Sequence, residues 1–453
     1  MLYYSTNHKA PHATLRQAVV QGLASDRGLY MPEVISQLPD TFFPETAGLT
    51  LPETACRVAD AFFGEDVEAT ALRKTVCDTL SFDIPLVRVE ADIYSLELFH
   101  GPTLAFKDVG ARFMARLLQH FLHGEQVNVL VATSGDTGSA VANGFLGVDG
   151  IHVYVLYPKG KVSAIQESQF TTLGRNITAI EVDGVFDDCQ RLVKSAFVDP
   201  ELNAHMRLTS ANSINVARFL PQAFYYFYAY AQVLRNEELR TRQDNVVVCV
   251  PSGNFGNICA ALFGHAMGLP VKRFIAANNA NDVVCQYLRT GVYTPRASEQ
   301  TIANAMDVGD PSNFARILDL YSRPDVQQRL ASRGIAQPMP SLAGGHGSGF
   351  ITGTTCTDGQ IAQTMRECHE RTGYVLDPHG AVAYRALREQ LREGEAGIFL
   401  ETAHPAKFKH TVDSILGTDI AIPERLQAFM RGEKQSVPMS NSYDDFRTYL
   451  MTR

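Results

Sequence analysis

The pattern of apolar and polar residues changes near Leu80. Beyond it, short apolar runs alternate with stretches of helical periodicity, which is typical of a mainly parallel sheet covered by helices on both faces. The pattern predicts strands at 127–132, 151–156, 177–182, 246–250 and 273–277. It predicts helices at 109–122, 139–146, 163–173, 187–197, 216–234 and 257–267. The sequence therefore indicates an α/β fold.

The two ends of the chain and one internal segment have other patterns. Residues 1–80 are rich in loop breakers and mostly helical in periodicity, so we expect a separate helical N-terminal region. The glycine-rich segment 342–355 is predicted to be a flexible loop, and the polar stretch from Arg431 onward a tail. The aromatic cluster at 224–230 lacks interleaved basic residues, so we expect it to be core or interface rather than a base-stacking surface.

Charge and composition narrow the class of protein. The net charge of -8 over 453 residues, without a basic run, argues against nucleic acid as a partner. The N-terminus lacks the pattern of a signal peptide and we find no apolar stretch long enough to cross a bilayer, so we expect a cytoplasmic protein without membrane association. The eight cysteines are scattered without metal-like pairs, so we expect reduced thiols and no metal site.

Lys107 is the first candidate for chemistry, within the run FHGPTLAFKD at 99–108. Leu104, Ala105 and Phe106 precede it, and apolar surroundings disfavour the charged form of an amine. A neutral lysine can act as a base or form a Schiff base with an aldehyde. The alternative is an ordinary lysine in a first helical turn, paired with Asp108 or extending past Phe106 into water.

Two glycine-rich loops, ATSGDTG at 132–138 and PSGNFGN at 251–257, each follow a predicted strand and precede a predicted helix. Free backbone N–H groups and the helix dipole make such a loop an anion site, although a single loop could be only a tight connection. We expect both loops at the carboxyl edge of one sheet, where ligands bind. Neither fits a dinucleotide fingerprint or a P-loop. A lysine, two such loops and no metal favour pyridoxal phosphate.

Four motifs together resemble the threonine synthase family: FHGPTLAFKD, ATSGDTG, PSGNFGN and ETAHPAKF at 401–408. GLASDRGLYMP at 22–32 and TGYVLDPHGAVAY at 372–384 are similar to landmarks of its long branch, which has an N-terminal domain. The resemblance covers nearly the whole chain. It implies a tryptophan-synthase-β-like fold (fold type II pyridoxal enzymes), with an N-terminal domain at 1–85, a catalytic core at 86–420 that includes a small subdomain at about 105–215, and a C-terminal extension at 421–453.

The resemblance also implies residue roles. Lys107 would be the Schiff-base lysine, and Thr402 would meet the pyridine nitrogen of the cofactor. The phosphate cradle would consist of Gly253, Asn254, Phe255, Gly256 and Asn257. The substrate would be bound by Ser134 and Thr137 at its carboxylate and by Asn212, Ser213 and Arg218 at its phosphate. Asp136 stands where many fold type II relatives have asparagine, which leaves its role open.

The activity that the resemblance implies is conversion of O-phospho-L-homoserine and water to L-threonine and phosphate. The nearest alternative is a related phospho-lyase that degrades a phosphorylated amino acid to a 2-oxo acid, phosphate and ammonia. A dehydratase or a cysteine synthase lacks this N-terminal domain and a second phosphate site. A non-catalytic metabolite-binding protein and a nicotinamide dehydrogenase are further alternatives. The sequence does not indicate an oligomeric state.

Overall fold

The computed structural model describes residues 1–122, 124–340 and 349–453. The strands, numbered along the chain, are β1 Leu2–Ser5, β2 Ala13–Thr14, β3 Tyr30–Pro32, β4 Leu86–Glu90, β5 Ile93–Glu97, β6 Val127–Ala132, β7 Ile151–Pro158, β8 Ile177–Val182, β9 Leu208–Ser210, β10 Val246–Pro251, β11 Arg273–Asn278, β12 Ile351–Thr355, β13 Ala396–Glu401 and β14 Val437–Met439. The α-helices are α1 Leu15–Gln21, α2 Phe42–Thr46, α3 Leu51–Phe63, α4 Ala69–Thr79, α5 Lys107–Leu122, α6 Asp136–Phe145, α7 Ala164–Thr171, α8 Phe186–Val198, α9 Pro200–His205, α10 Val216–Phe219, α11 Ala223–Arg235, α12 Glu237–Arg240, α13 Gly256–Ala266, α14 Val283–Thr290, α15 Phe314–Ser322, α16 Pro324–Ser332, α17 Asp358–Thr372, α18 Pro378–Gln390, α19 Lys409–Leu416, α20 Glu424–Met430 and α21 Tyr443–Met451.

The chain folds as two compact units. The first unit consists of Met1, Pro32–His100 and Phe219–Ile420, and the second unit of Leu2–Met31, Gly101–Arg218 and Ala421–Arg453. Both units draw on stretches that are far apart in sequence. The three-part domain division expected from the sequence stays a prediction.

The first unit is built on a six-stranded sheet in the order β12-β11-β10-β13-β5-β4. Its neighbouring strands are parallel except β4, which pairs antiparallel with β5. Every residue of β10, β11 and β13 is buried, because their continuous apolar runs suit strands that are covered on both faces. Helix α18 packs against β10, β11 and β13.

The second unit is built on a five-stranded parallel sheet in the order β14-β8-β7-β6-β9. Helix α6 packs against β6 and β7 and also against α5, and α8 packs against the same two strands. A separate three-stranded sheet, in the order β2-β1-β3, is formed near the N-terminus. Two mainly parallel sheets covered by helices confirm the predicted α/β class.

The predicted elements of the two sheets are confirmed, and two strands have the predicted bounds, Val127–Ala132 and Ile177–Val182. The aromatic cluster of α11 is buried, as predicted for a core segment. The helix predicted at 216–234 is instead interrupted by the 3-10 turn Leu220–Gln222. Pro221 explains the interruption, because proline lacks the N–H that an α-helix needs and clashes with the preceding turn.

Four other expectations are corrected. The N-terminal region contains the small sheet β1–β3 besides its helices. The end of the glycine-rich segment forms strand β12, while 342–348 lie outside the described residues. The stretch after Arg431 is not a tail, because β14 pairs with β8 and Phe446 of α21 is buried in the core beside that sheet. The two glycine-rich loops follow strands of different sheets, since β6 and β10 belong to different units.

Among the described residues, no helix is long and apolar enough to span a membrane.

Candidate active site

Lys107 is the first residue of α5 and is mostly buried in the second unit. Its Nζ lies 3.8 Å from Oδ2 of Asp136 and 5.3 Å from the centroid of the Phe106 ring. Asp108 has other partners, because its carboxylate accepts hydrogen bonds from the backbone N and the hydroxyl of Thr103 at 2.9 and 2.7 Å. The carboxylate of Asp136 therefore lies beside the Lys107 amine, and the carboxylate of Asp108 is held by Thr103.

Asp136 lies at the start of α6, in the glycine-rich loop that follows β6. Its side chain is buried, and its Oδ1 accepts a hydrogen bond from Nε2 of Gln166 at 2.8 Å. Gly135 has a φ of +139°, and a Cβ at this position would lie 2.6 Å from the Gln166 side chain. The loop therefore requires glycine here, and the close approach holds Gln166 against Asp136. Sequence analysis missed Gln166 because no local pattern links α7 to this loop.

The predicted substrate-carboxylate residues Ser134 and Thr137 are both partly exposed in the same loop. Asn212 and Ser213, from the segment after β9, are also partly exposed. Asn212 Nδ2 donates to the carbonyl of Ala132, the last residue of β6, at 3.4 Å. Parallel pairing of β9 with β6 thus brings both sets of polar residues to the carboxyl end of β6, close to the loop that carries Asp136.

Arg218 differs from these residues because its side chain is buried. Its Nη1 donates to the carbonyl of Ala211, and its pKa is lowered to about 10 by burial, with Asp108 acting in the opposite direction. Gly110 of α5 allows a close approach, since a Cβ there would lie 2.4 Å from the Arg218 carbonyl oxygen. Arg218 therefore packs beside the helix that begins with Lys107. Its assignment to the substrate phosphate stays a prediction.

The second glycine-rich loop lies in the first unit, between the end of β10 at Pro251 and the start of α13 at Gly256. Phe255 adopts a left-handed φ of +60°, which turns the chain into the helix. A Cβ on Gly253 would lie 2.7 Å from Cα of Met306 and 2.8 Å from the carbonyl oxygen of Ala305. The loop is thus packed tightly against the 305–306 backbone.

A second set of contacts holds the middle of this loop. Asn254 Oδ1 accepts from the backbone N of Ser312 at 2.7 Å, and its carbonyl accepts from Nδ2 of Asn313 at 3.1 Å. Arg316, whose side chain is fully buried, donates from Nη1 to Oδ1 of Asn313 at 2.6 Å. The first N–H groups of α13 have no partner within the helix, so the fixed loop presents them as donors to an anion.

Asn257, in the first turn of α13, has an incompletely satisfied amide. Its Oδ1 accepts hydrogen bonds from the hydroxyls of Tyr225 and Tyr226, the latter at 2.6 Å. Its Nδ2 is buried and has no hydrogen-bond partner among the described residues. A buried amide donor without a partner costs about 1–3 kcal/mol, a cost that a phosphate oxygen acting as acceptor would remove.

Thr402 is buried directly after β13, in the first unit. The preceding residue, Glu401, is also buried, and burial and the nearby Asp377 carboxylate raise its pKa well above the ordinary value. Asp377 accepts a hydrogen bond from the backbone N of Ala403 at 3.3 Å and pairs with Nδ1 of His379 at 2.6 Å. The backbone around Thr402 is therefore fixed by buried polar groups, and Thr402 itself supplies a neutral hydroxyl.

Three family models match the chain. The model described as "Pyridoxal-phosphate dependent enzyme" matches residues 83–400, "Threonine synthase N terminus" matches 2–80, and "Threonine synthase, C-terminal" matches 380–450.

Known proteins are similar over the full length. The threonine synthase of Haemophilus influenzae is 43% identical over 451 residues, which cover 100% of both chains. The crystal structure of threonine synthase from Escherichia coli aligns with a TM-score of 0.89 at 41% identity, and the alignment covers 100% of both chains. The structure of PLP bound threonine synthase from Brucella melitensis aligns with a TM-score of 0.88 at 34% identity, covering 100% of this chain and 99% of that one.

Proposed function

Because the chain belongs to the threonine synthase family of pyridoxal-phosphate-dependent enzymes, we propose that it converts O-phospho-L-homoserine and water to L-threonine and phosphate. The reaction is a carbon–oxygen lyase reaction on a phosphate ester. The observation that carries the proposal within the structure is the glycine-rich loop at α13 with its unpartnered buried amide, because it offers neutral donors to a phosphate.

The first unit contains residues that fit the cofactor. The backbone N–H groups at the start of α13, the close-packed Gly253 and the Nδ2 group of Asn257 form a cradle that a Cβ at 253 would disturb. We assign the cofactor phosphate to Gly253, Asn254, Phe255, Gly256 and Asn257. Thr402 offers its hydroxyl to the pyridine nitrogen, and a neutral partner does not hold that nitrogen protonated as a carboxylate would.

Lys107 is assigned the attachment of the cofactor and the proton transfers. When bound, pyridoxal phosphate withdraws electrons from the substrate carbons, which stabilises negative charge at Cα and Cβ. The amine of Lys107 takes a proton from Cα of the substrate and then one from Cβ. Phosphate leaves Cγ, which gains a proton to become the methyl group, water adds its hydroxyl at Cβ, and a proton returns to Cα. The carboxylate of Asp136, at 3.8 Å, favours the protonated amine between these steps.

The substrate is assigned to residues of the second unit at the carboxyl end of β6. Ser134 and Thr137 bind its carboxylate through hydroxyl and backbone donors. Asn212, Ser213 and Arg218 bind its phosphate. Ser134, Thr137, Asn212 and Ser213 are partly exposed, which suits residues that contact a small molecule. A cytoplasmic location stays a prediction from the sequence.

The deciding experiment compares Lys107→Ala with Lys161→Ala, which alters an exposed lysine of the same unit. Each protein is incubated with pyridoxal phosphate, its visible spectrum is recorded, and borohydride reduction is followed by peptide mapping. We expect the unaltered protein to be yellow, to be labelled at Lys107 and to release threonine and phosphate from O-phospho-L-homoserine. The Lys161→Ala control should give the same spectrum, the same label and the same products. Near-normal turnover by Lys107→Ala would contradict the assignment.

Product analysis separates the alternative activity. A phospho-lyase would release a 2-oxo acid and ammonia with the phosphate, whereas the proposed enzyme releases threonine. The matched relatives carry the name threonine synthase, so the alternative is not favoured.

A further inference from the structure

We propose that Tyr225 and Tyr226 are positioning residues for the cofactor phosphate, acting through the side-chain amide of Asn257. The inference rests on the proposed function, because it takes the loop at 253–257 as the phosphate cradle. The tyrosines belong to the aromatic segment of α11, whose sequence indicated only a core role. The structure shows that their hydroxyl groups have a specific target.

Both hydroxyls converge on one acceptor atom. Tyr226 Oη lies 2.6 Å from Oδ1 of Asn257, and the hydroxyl of Tyr225 donates to the same atom. The two rings are neighbours, with centroids 4.8 Å apart and planes inclined by 45°. Helix α11 packs against α13, so the start of α13 is within reach of both side chains. Oδ1 of Asn257 is therefore enclosed by two donors.

Burial raises the pKa of each phenol well above its ordinary value, so both hydroxyls keep the proton that they donate to Oδ1. Tyr225 has a second acceptor, Oε1 of Gln222 at 3.2 Å, but Oδ1 of Asn257 is the nearer of the two. Because both hydroxyls donate to Oδ1, the amide oxygen faces the tyrosines and the N–H groups lie on the other side of the amide. The tyrosines thus fix which side of the amide carries the N–H groups.

The consequence falls on Nδ2. This atom is buried without a partner among the described residues, in a side chain that is 7% exposed. With Oδ1 held by the tyrosines, Nδ2 points away from them and remains available to an acceptor in the cradle. Two donors on the amide oxygen also polarise the N–H groups and strengthen the hydrogen bond that they make. The pair therefore orients and strengthens a neutral phosphate donor.

The test uses Tyr225→Phe, Tyr226→Phe and the double variant in the full-length protein, with Tyr230→Phe as the matched control. Tyr230 is a buried tyrosine of the same helix that packs against Phe43. The cofactor is removed, and each protein is titrated with pyridoxal phosphate and, separately, with pyridoxal, which lacks the phosphate. Absorbance of the bound cofactor gives both dissociation constants, and a melting curve reports folding.

We expect each single variant to weaken pyridoxal phosphate binding about fivefold and the double variant about tenfold or more, since one hydrogen bond contributes about 1 kcal/mol. Binding of pyridoxal and the Tyr230→Phe control should be unchanged. An equal loss for both ligands, or no loss for either, would overturn the inference, since a purely structural role does not select for the phosphate. If the double variant fails to fold, the single variants decide by the ratio of their dissociation constants for pyridoxal phosphate and pyridoxal.

Asn257→Ala separates this inference from the proposed function. If Asn257→Ala selectively weakens pyridoxal phosphate but the tyrosine variants do not, the cradle stands and the role of the tyrosines is refuted. If Asn257→Ala leaves the ratio of the two dissociation constants unchanged, the assignment of Asn257 to the cradle fails, and the inference fails with it. Threonine formation by the unaltered protein remains a separate readout of the proposed function.

Discussion

Replacement of Gly253 by alanine places a methyl group where the structure has no room. The new Cβ would lie 2.7 Å from Cα of Met306 and 2.8 Å from the carbonyl oxygen of Ala305, so separation to normal contact requires a shift of about 0.7 Å. The neighbours are backbone atoms and cannot rotate away. The backbone N of Ala305 donates to Nε2 of His379 at 3.2 Å, and the N of Met306 donates to the carbonyl of Ala303 at 3.0 Å. The glycine-rich loop is therefore the part that moves.

Overpacking of this kind costs about 1–3 kcal/mol, which corresponds to a loss in affinity of roughly fivefold to over a hundredfold if it appears in cofactor binding. We expect Gly253→Ala to weaken pyridoxal phosphate binding by about tenfold or more, measured by titration of the cofactor-free protein. Gly359→Ala is the control, because its Cβ position in α17 has no atom within 4 Å from any described residue beyond its chain neighbours and the helix backbone. That control should retain full affinity. Unchanged affinity and stability of Gly253→Ala would refute the reasoning.

Two further predictions concern charged groups. Asp136→Asn removes the carboxylate beside Lys107, so the neutral amine should be available at lower pH. The pH profile of pyridoxal phosphate capture by the cofactor-free protein should therefore shift to lower pH. An unchanged profile would count against the pairing of Lys107 with Asp136. Burial opposes ionisation of Glu395, but its hydrogen bonds with Arg273, at 2.6 and 3.1 Å, lower its pKa from 4.5 to about 2. This lowered pKa corresponds to roughly 3 kcal/mol of stability, before a reduction for solvent screening. The stability is present above pH 4.5 and is lost as the pH falls towards 2. Urea unfolding of Glu395→Gln should show a loss of about 2–3 kcal/mol at neutral pH that narrows in acid, and equal stability at neutral pH would contradict it.

Local patterns predicted the elements better than their partners. Strands β6 and β8 have the predicted bounds because each is a mostly apolar run, VNVLVA and ITAIEV, that begins and ends with a buried apolar residue. The hydrophobic pattern does not encode which sheet a strand joins, so the pattern alone did not separate β6 from β10, although the small subdomain implied by the family resemblance contains β6 and not β10. Strand β14 and helix α21 were missed because three residues, and a nine-residue helix with two buried apolar side chains, give a weak periodic signal.

In the candidate site, too, residues in local motifs were predicted and their partners from distant parts of the chain were not. Lys107 and the glycine-rich loops were found from their local sequence, because a lysine among apolar residues and a strand-to-helix glycine turn are visible along the chain. Gln166 and the tyrosines that hold Asn257 were not, because their contacts join residues that are distant in sequence. The aromatic residues of α11 indicated burial, and nothing in their spacing indicated the target of their hydroxyl groups.

The second unit has a consequence for synthesis on the ribosome. Strand β14 forms one edge of its sheet by pairing with β8. Roughly 200 residues of the first unit separate Arg218, where the previous segment of the second unit ends, from the segment that contains β14. At about 5–20 residues per second, the ribosome needs roughly 10–40 s to make that stretch. During this time the edge of β8 is unpaired, and the apolar surface that later packs against Phe446 and Leu450 is uncovered. The part of the molecule that carries Lys107 therefore completes its fold only after β14 and α21 have been made, and until then it presents an edge to which chaperones or other nascent chains can bind.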